Sequence, residues 1–354
     1  MPRPPLDLGM TSADDIRFGV DTFGDVTVDL EGRPVHQAQV IRDVIAEGQL
    51  ADRVGIDAFG LGEHHRHEFA VSSPETVLAG LATTTERITL GSAVTVLSSD
   101  DPVRVWQRFA TLDAMSNGRA EVILGRGSFT ESFPLFGYSL ADYQELFEQK
   151  LDLFRALLSE GPVTWSGSMR PALTEQEVYP KTEGGRLTTW VGVGGSPESV
   201  VRAARHHLPL TLAIIGGQPA RFRPFVELFH NALEELELPD LPVAVHSPGF
   251  VARTDEEAFE RYVPHFMSQR AVIGAERGWP PPRPEEVRRE IADGALHLGS
   301  PETVARKIAT TIRSLDIQRF DLKYSAPVPH EYAMESIELF GTEVIPMVKD
   351  ILGS

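Results

Sequence analysis

A closed (β/α)8 TIM barrel, an α/β fold, is the class this sequence predicts, and three observations predict it. Eight short apolar runs recur along the chain, each run is near-continuous rather than alternating, and a helical pattern separates each from the next. Parallel strands covered by helices read this way, and eight βα units close into a barrel. The rival is a doubly wound open sheet, which needs a G-x-G-x-x-G fingerprint after its first strand. The stretch FGVDTFG at 18–24 has none.

The expected strands are 17–22, 58–62, 88–97, 120–125, 188–193, 210–215, 242–251 and 319–325. The expected helices are 35–54, 73–85, 101–116, 141–159, 197–207, 219–236, 255–268 and 301–315, with a last helix at 331–351. Residues 1–16 read as an N-terminal tail, and 17–354 as one barrel domain. The unit at 88–129 is the clearest. Its β-branched run is followed by Asp101-Pro102, a cap and a first-turn proline, then by Val105, Phe109, Leu112 and Met115 at helical spacing. Asn117-Gly118 stops that helix, and a second apolar run exits through Gly125-Arg126-Gly127-Ser128. Ser-Pro-Glu recurs at 73–75, 196–198 and 300–302, each time as a helix start.

Two connections are too long for simple loops, and they are expected insertions after the fourth and seventh helices. Residues 160–186, with Trp165, Gly167 and Pro171, suggest a hairpin. Residues 269–298 contain GWPPPRPEE, which no regular element tolerates, and read either as a lid over the barrel mouth or as a structural loop. The helices at 73–85 and 101–116 carry Leu78, Leu81, Trp106 and Phe109, much of whose apolar surface must pack on the barrel.

Composition excludes several partners. The 51 acidic against 33 basic residues give a net charge of −18, which disfavours nucleic acid and anionic membranes. There is no transmembrane-length apolar run and no basic-then-apolar leader. With no cysteine, thiolate catalysis and disulfides are excluded, and a cytoplasmic location is expected.

Two constellations carry chemistry. The second strand ends in FGLGEHHRHEF, which sets Glu63, His64, His65 and His67 at a strand exit, where barrels place catalytic groups. Three readings stand: acid–base work by a histidine oriented by Glu63, a divalent metal held by Glu63, His65 and His67, or a structural polar network. The fifth strand ends in VGVGG before Ser196. There the backbone of Gly194, Gly195 and Ser196 and a helix N-terminus suit a phosphate, or make an ordinary tight turn. Arg126, at the exit of the fourth strand, is placed to meet an anion. The GGQPARFRPF stretch at 216–225 could touch a ligand, and equally makes a turn into a helix. Phe23, Phe69, Phe129 and Phe133 are candidates for the pocket wall.

GLGEHHRHEF, LGSAVTVLSSDDPVRVWQRFATLDAMSNGR with ILGRG, VGVGGSPESVVRAA and LGSPETVARKI, in this order and spacing, resemble the bacterial-luciferase-like flavin-dependent monooxygenases. The resemblance runs from about residue 17 to the C-terminus. It implies reduced FMN across the C-terminal mouth of the barrel, with its phosphate held by Arg126, beside Gly127, and from the opposite side by Gly194, Gly195 and Ser196, beside Val193. It implies a non-proline cis peptide at Ala93–Val94 beneath the isoalloxazine. It ties His64 to oxygenation and proton handling and puts Glu63 and His65 in the same motif. Reduced FMN, supplied by a separate reductase, would add dioxygen to give a flavin hydroperoxide that oxidises a small organic substrate. It implies a homodimer paired through the helices after the early strands, here 73–85 and 101–116 with Leu78, Leu81, Trp106 and Phe109. No metal is expected, because no carboxylate or histidine pair elsewhere completes a metal shell. The alternatives are a deazaflavin-dependent oxidoreductase on the same fold and a non-catalytic flavin-binding partner subunit.

Overall fold

Eight parallel strands pair edge to edge and close on themselves, so every barrel strand has a neighbour on both sides. The computed structural model describes residues 12–353, apart from 128, 277, 279, 325 and 326. In chain order the elements are β1 (Arg17–Thr22), α1 (Gln37–Arg53), β2 (Ala58–Leu61), α2 (Pro74–Ala82), β3 (Thr89–Val96), α3 (Pro102–Met115), β4 (Ala120–Gly125), α4 (Ser132–Phe136) and α5 (Tyr143–Leu157). Then come β5 (Val163–Trp165), β6 (Leu173–Gln176), β7 (Thr188–Val193), α6 (Pro197–Arg205), β8 (Leu210–Ala213), α7 (Arg223–Glu235), β9 (Val243–Val251) and α8 (Asp255–Glu276). The chain ends with α9 (Pro284–Ala292), β10 (His297–Gly299), α10 (Pro301–Leu315), β11 (Arg319–Lys323), α11 (His330–Leu339) and α12 (Ile345–Gly353), the last two joined by a π-turn at Phe340–Val344. The barrel order is β1-β2-β3-β4-β7-β8-β9-β11, and β11 returns to β1 with Arg17 opposite Arg319. These eight strands are the eight apolar runs expected. Their burial on both faces is what removed the alternation from the sequence.

Local chemistry sets the helix starts. Asp101 accepts from the N–H groups of Val103 and Arg104, and Pro102 follows at the first helical position. Of the three Ser-Pro-Glu starts, Ser196 and Ser300 cap through their side chains, whereas Ser73 makes no such bond. Asn117 and Gly118 both take positive φ and end α3.

Residues 163–176 form a two-stranded antiparallel hairpin, β5–β6, outside the barrel. The second long connection is more regular than expected. The helix expected to stop near 268 continues to Glu276, and α9 and β10 take up about half of the remaining connection. Trp279, an expected lid residue, lies outside the described residues. Of the N-terminal tail, 1–11 lies outside them too, while Ile16 is buried in the core. Leu78, Leu81, Trp106 and Phe109 are fully buried against this chain's own barrel, so they offer no free apolar face to a second copy.

The barrel interior is layered. At the N-terminal ends of the strands Arg319 reaches Glu121 (Nη2–Oε1 2.8 Å) and Asp321 (Nε–Oδ1 2.9 Å), with its guanidinium 5.5 Å from the Trp190 ring. Ala93, Ile123, Trp190 and Ala244 pack together as a separate apolar cluster, with Val94 against it.

Candidate active site

The C-terminal mouth is assembled from strand exits that approach closely because glycine permits it. A Cβ at Gly62 would stand 2.2 Å from the Phe23 ring and 3.1 Å from the Ala93 carbonyl oxygen. Beyond Gly62, Glu63 straps two exits together. Its Oε2 accepts from the Val96 N–H (2.9 Å) and its Oε1 pairs with His65 Nε2 (2.9 Å). Glu63 and His65 therefore form a brace in which His65 turns its ring edge-on to exposed Phe136, at 4.9 Å.

His64 faces the other way, into an aromatic cage. It is 9% exposed, stacked on Phe69 at 4.4 Å, and met edge-on by Phe23 at 4.6 Å and Phe129 at 4.9 Å. Its Nδ1 lies 3.3 Å from Glu131 Oε1. Burial would raise the Glu131 carboxyl, but the His64 hydrogen bond and nearby backbone N–H groups hold it below its ordinary value. Glu131 was not found from sequence. It sits just before α4, where no motif flags it. His67 turns outward, 87% exposed at its side chain, and pairs with Glu68 at 3.4 Å. The Glu63–His65–His67 set of the metal reading is therefore not brought together. Among the described residues no group of three or more acidic or histidine side chains has metal-holding geometry. Phe133 is also displaced from its expected place. It is buried beside Tyr143, at 5.5 Å, outside the cage.

Arg126 leaves β4 on the rim. Its Nη1 donates to Gln144 Oε1 (2.9 Å) and its guanidinium lies 5.3 Å from the Tyr143 ring. The Tyr143 hydroxyl donates to the Gly127 carbonyl (2.7 Å), and Gly127 takes φ 76°, which brings that turn back under the arginine. Opposite, Val193 ends β7 in the core, Gly195 takes φ 105°, and Ser196 Oγ accepts from the Ser199 N–H at the start of α6. The two rims face one another electrostatically. The Glu198 carboxyl is held below its ordinary value by its own backbone and by Ser196, and the charge of Arg126 adds to that. A Cβ at Gly194 would meet nothing within 4 Å, so the rim there is open to a bound group. The GG pair at 216–217 is engaged elsewhere. The Gly217 N–H donates to both Glu290 oxygens (3.2 and 3.0 Å), which ties α9 to the barrel.

The bed of the mouth is built around Val94. The Ala93–Val94 peptide is cis. The Val94 side chain fills the space over two glycines, where a Cβ at Gly125 would stand 2.5 Å, and at Gly192 2.9 Å, from its methyls.

A second polar group was not found from sequence. Asp21 Oδ2 lies 2.7 Å from His246 Nδ1, and the His246 ring is stacked on Phe23 at 6.4 Å. The Lys323 ammonium lies 4.1 Å from the centre of the same Phe23 ring, and Gln269 Nε2 donates to Asp25 Oδ1. The signal was present as an ionisable residue within a mostly apolar run, Asp21 in RFGVDT and His246 in VAVHSPGFV. A strand buried on both faces puts such residues inside the barrel.

Residues 17–318 match the family described as luciferase-like monooxygenase. The chain is 26% identical over 248 residues to the alkanal monooxygenase alpha chain of Photorhabdus luminescens, covering 67% of this chain and 65% of that one. It is 28% identical over 194 residues to the alkanal monooxygenase alpha chain of the Kryptophanaron alfredi symbiont, covering 54% of each. The chain thus spans about half to two thirds of the length of these curated relatives. Among solved structures, the monooxygenase RslO1 from Streptomyces bottropensis superposes with a TM-score of 0.80 at 21% identity, covering 94% of this chain and 99% of that one. The oxygenating constituent of a Pseudomonas putida 3,6-diketocamphane monooxygenase, in complex with FMN, gives a TM-score of 0.73 at 18% identity over 94% and 98%. At these identities the structures establish the barrel fold, and the match across residues 17–318 establishes kinship: the chain belongs to the luciferase-like monooxygenase family.

Proposed function

We propose that this protein is a flavin-dependent monooxygenase that binds reduced FMN at the barrel mouth and inserts one atom of dioxygen into a small organic substrate. The observation that carries the reading is the pairing, on one mouth, of an aromatic-caged histidine with an open cationic rim. Reduced FMN, when bound, supplies the electrons that activate dioxygen. Arg126, with Gly127, and the Gly194, Gly195 and Ser196 turn would hold the phosphate, and Ala93 and Val94 would support the ring system.

The chain's own groups have distinct tasks in this reading. His64, fixed by Glu131, holds or delivers a proton at Nε2. Phe23, Phe69 and Phe129 exclude water around it. Glu63 and His65 act as the brace that positions His64 between the exits of β2 and β3. A flavin reductase is the expected partner, and a homodimer the expected assembly. A monomeric mass by light scattering at micromolar concentration would exclude the dimer.

The test is anaerobic titration with reduced FMN, followed by oxygen and a panel of small organic substrates. Arg126→Ala removes a charge-assisted contact of about 1.5–3 kcal/mol, so reduced FMN should bind about 10- to 150-fold more weakly. His64→Ala should retain binding and lose product. An unchanged dissociation constant for Arg126→Ala refutes the phosphate assignment. Hydride transfer with a reduced deazaflavin in place of FMN, and none of the oxygenation, refutes the monooxygenase reading.

A further inference from the structure

Across Phe23 from His64 lies the second carboxylate-oriented histidine. Asp21 is 2% exposed and its Oδ2 lies 2.7 Å from His246 Nδ1; in a neutral imidazole so held, Nδ1 carries the hydrogen and Nε2 is the acceptor. Two buried acceptors near Lys323 have no donor among the described residues: Asp21 Oδ1, and Oδ2 of Asp25, which is 7% exposed. An unpaired buried carboxylate oxygen costs free energy unless something donates to it. The Lys323 ammonium, over Phe23, is the cation of the group. Burial pushes it down from its ordinary value, with Asp25 and Asp21 opposing. Gln269 and Tyr262 of α8, Asp321 of β11, Tyr324 with its partner Glu47 of α1, and the His64–Glu131 pair also face this group. The floor is the Arg319, Glu121 and Asp321 layer, which satisfies itself.

We propose that Asp21, Asp25, His246 and Lys323 form the substrate pole of the mouth, built for an organic substrate with an ionisable hydroxyl, a phenol or an enol. This deepens the monooxygenase reading and rests on it. The hydroxyl donates to His246 Nε2. On transfer the O–H bond breaks and its proton goes to Nε2, giving an imidazolium paired with the Asp21 carboxylate. The electron pair stays on the substrate oxygen, whose charge faces Lys323. A second substrate donor satisfies Asp21 Oδ1 or Asp25 Oδ2. The resulting oxyanion enriches the conjugated carbons, which makes them better nucleophiles toward activated oxygen. His64 is then left to the oxygen side of the reaction and His246 to the substrate side.

The test uses the full-length protein and 4-nitrophenol, whose phenolate has a visible band, so no turnover is needed. In the wild type the bound probe should ionise with an apparent pKa about one unit below its value in water, a tenfold shift toward phenolate. His246→Gln and Asp21→Asn should abolish the shift, and Lys323→Met should weaken phenolate binding about tenfold. 4-Nitroanisole, which has no proton to give, should bind much more weakly. An unshifted probe in the wild type, an equal shift in His246→Gln and Asp21→Asn, or equal binding of the anisole overturns the proposal. The same variants are titrated with reduced FMN and should bind it as the wild type does, because none of the three residues belongs to the phosphate rim. A wild type that ionises the probe but binds no FMN refutes the flavin reading while leaving the substrate pole standing.

Discussion

Replacing Gly125 by alanine would put a methyl carbon 2.5 Å from Val94 Cγ2 and 3.1 Å from Val94 Cβ, in the bed of the mouth. Real carbon contacts do not reach 2.5 Å, so Val94 must move or β4 must bend. Overpacking of this kind costs about 1–3 kcal/mol. Val94→Ala alone removes two partly exposed methyls, a loss of about 1 kcal/mol. If the two sites were independent, the double variant would lose about 2–4 kcal/mol. The geometry requires otherwise. With Val94 shortened, the clashing Cγ2 is gone and the new methyl occupies part of the vacated space. The double variant should therefore be no less stable than Gly125→Ala, a coupling of about 1 kcal/mol or more. Urea unfolding followed by far-ultraviolet circular dichroism gives the three differences, provided the slopes agree. Reduced-FMN binding on the same proteins reports whether the displaced Val94 intrudes on the proposed flavin bed, in which case Gly125→Ala binds more weakly and the double variant recovers. Additivity within about 0.5 kcal/mol, or wild-type stability in Gly125→Ala, would contradict the packing argument.

Arg319→Met should destabilise by about 3–5 kcal/mol, because it leaves Glu121 and Asp321 buried without their cation. Adding Glu121→Gln and Asp321→Asn should restore much of that loss, and chemical denaturation would show no rescue if the layer were not coupled. His330 is raised above its ordinary value by its hydrogen bond to Glu47 (Nδ1–Oε1 2.9 Å), with burial opposing. That contribution is fully present below the unfolded value of about 6.5 and is lost as pH rises through the higher folded value. Thermal unfolding should thus show a decline on the alkaline side that His330→Gln flattens, and an identical pH profile in the variant would count against it. Arg66 clamps Glu276 at the end of α8 (2.6 Å from each of two nitrogens) while resting 5.3 Å from the Phe129 ring. Glu276→Gln should speed limited proteolysis between α8 and α9 about 2- to 5-fold, as expected for a partly exposed ion pair. Added salt should do the same to the wild type only, and equal cleavage rates would mean the clamp holds nothing.

The barrel and much of its mouth are legible in the order of the residues alone. Strands buried on both faces must be apolar throughout, and helix starts and stops are local chemistry, so runs such as 120–125 and signals such as Asp101-Pro102 or Asn117-Gly118 are readable without neighbours. Glu63, His64, His65, Arg126 and the Gly194–Gly195–Ser196 turn were legible because each group is contiguous at a strand exit. Which way those side chains turn is settled by contacts between distant segments. His64 goes inward and His67 outward because Glu131, Phe69 and Phe129 form a cage at one side only, and none of those contacts is set by spacing along β2. The regularity of α8 and α9 was hidden for a similar reason. Prolines 280–282 mark a break, but Glu276 and Glu290 are held by Arg66 and Gly217, partners remote in sequence. The Asp21–His246 pair is the extreme case. Its two members are 225 positions apart, and only closure of the ring through β11 brings β1 and β9 to the same end of one barrel. Local propensities act over a few residues, whereas closing the ring joins positions whose mutual distance leaves no trace in the chain's order.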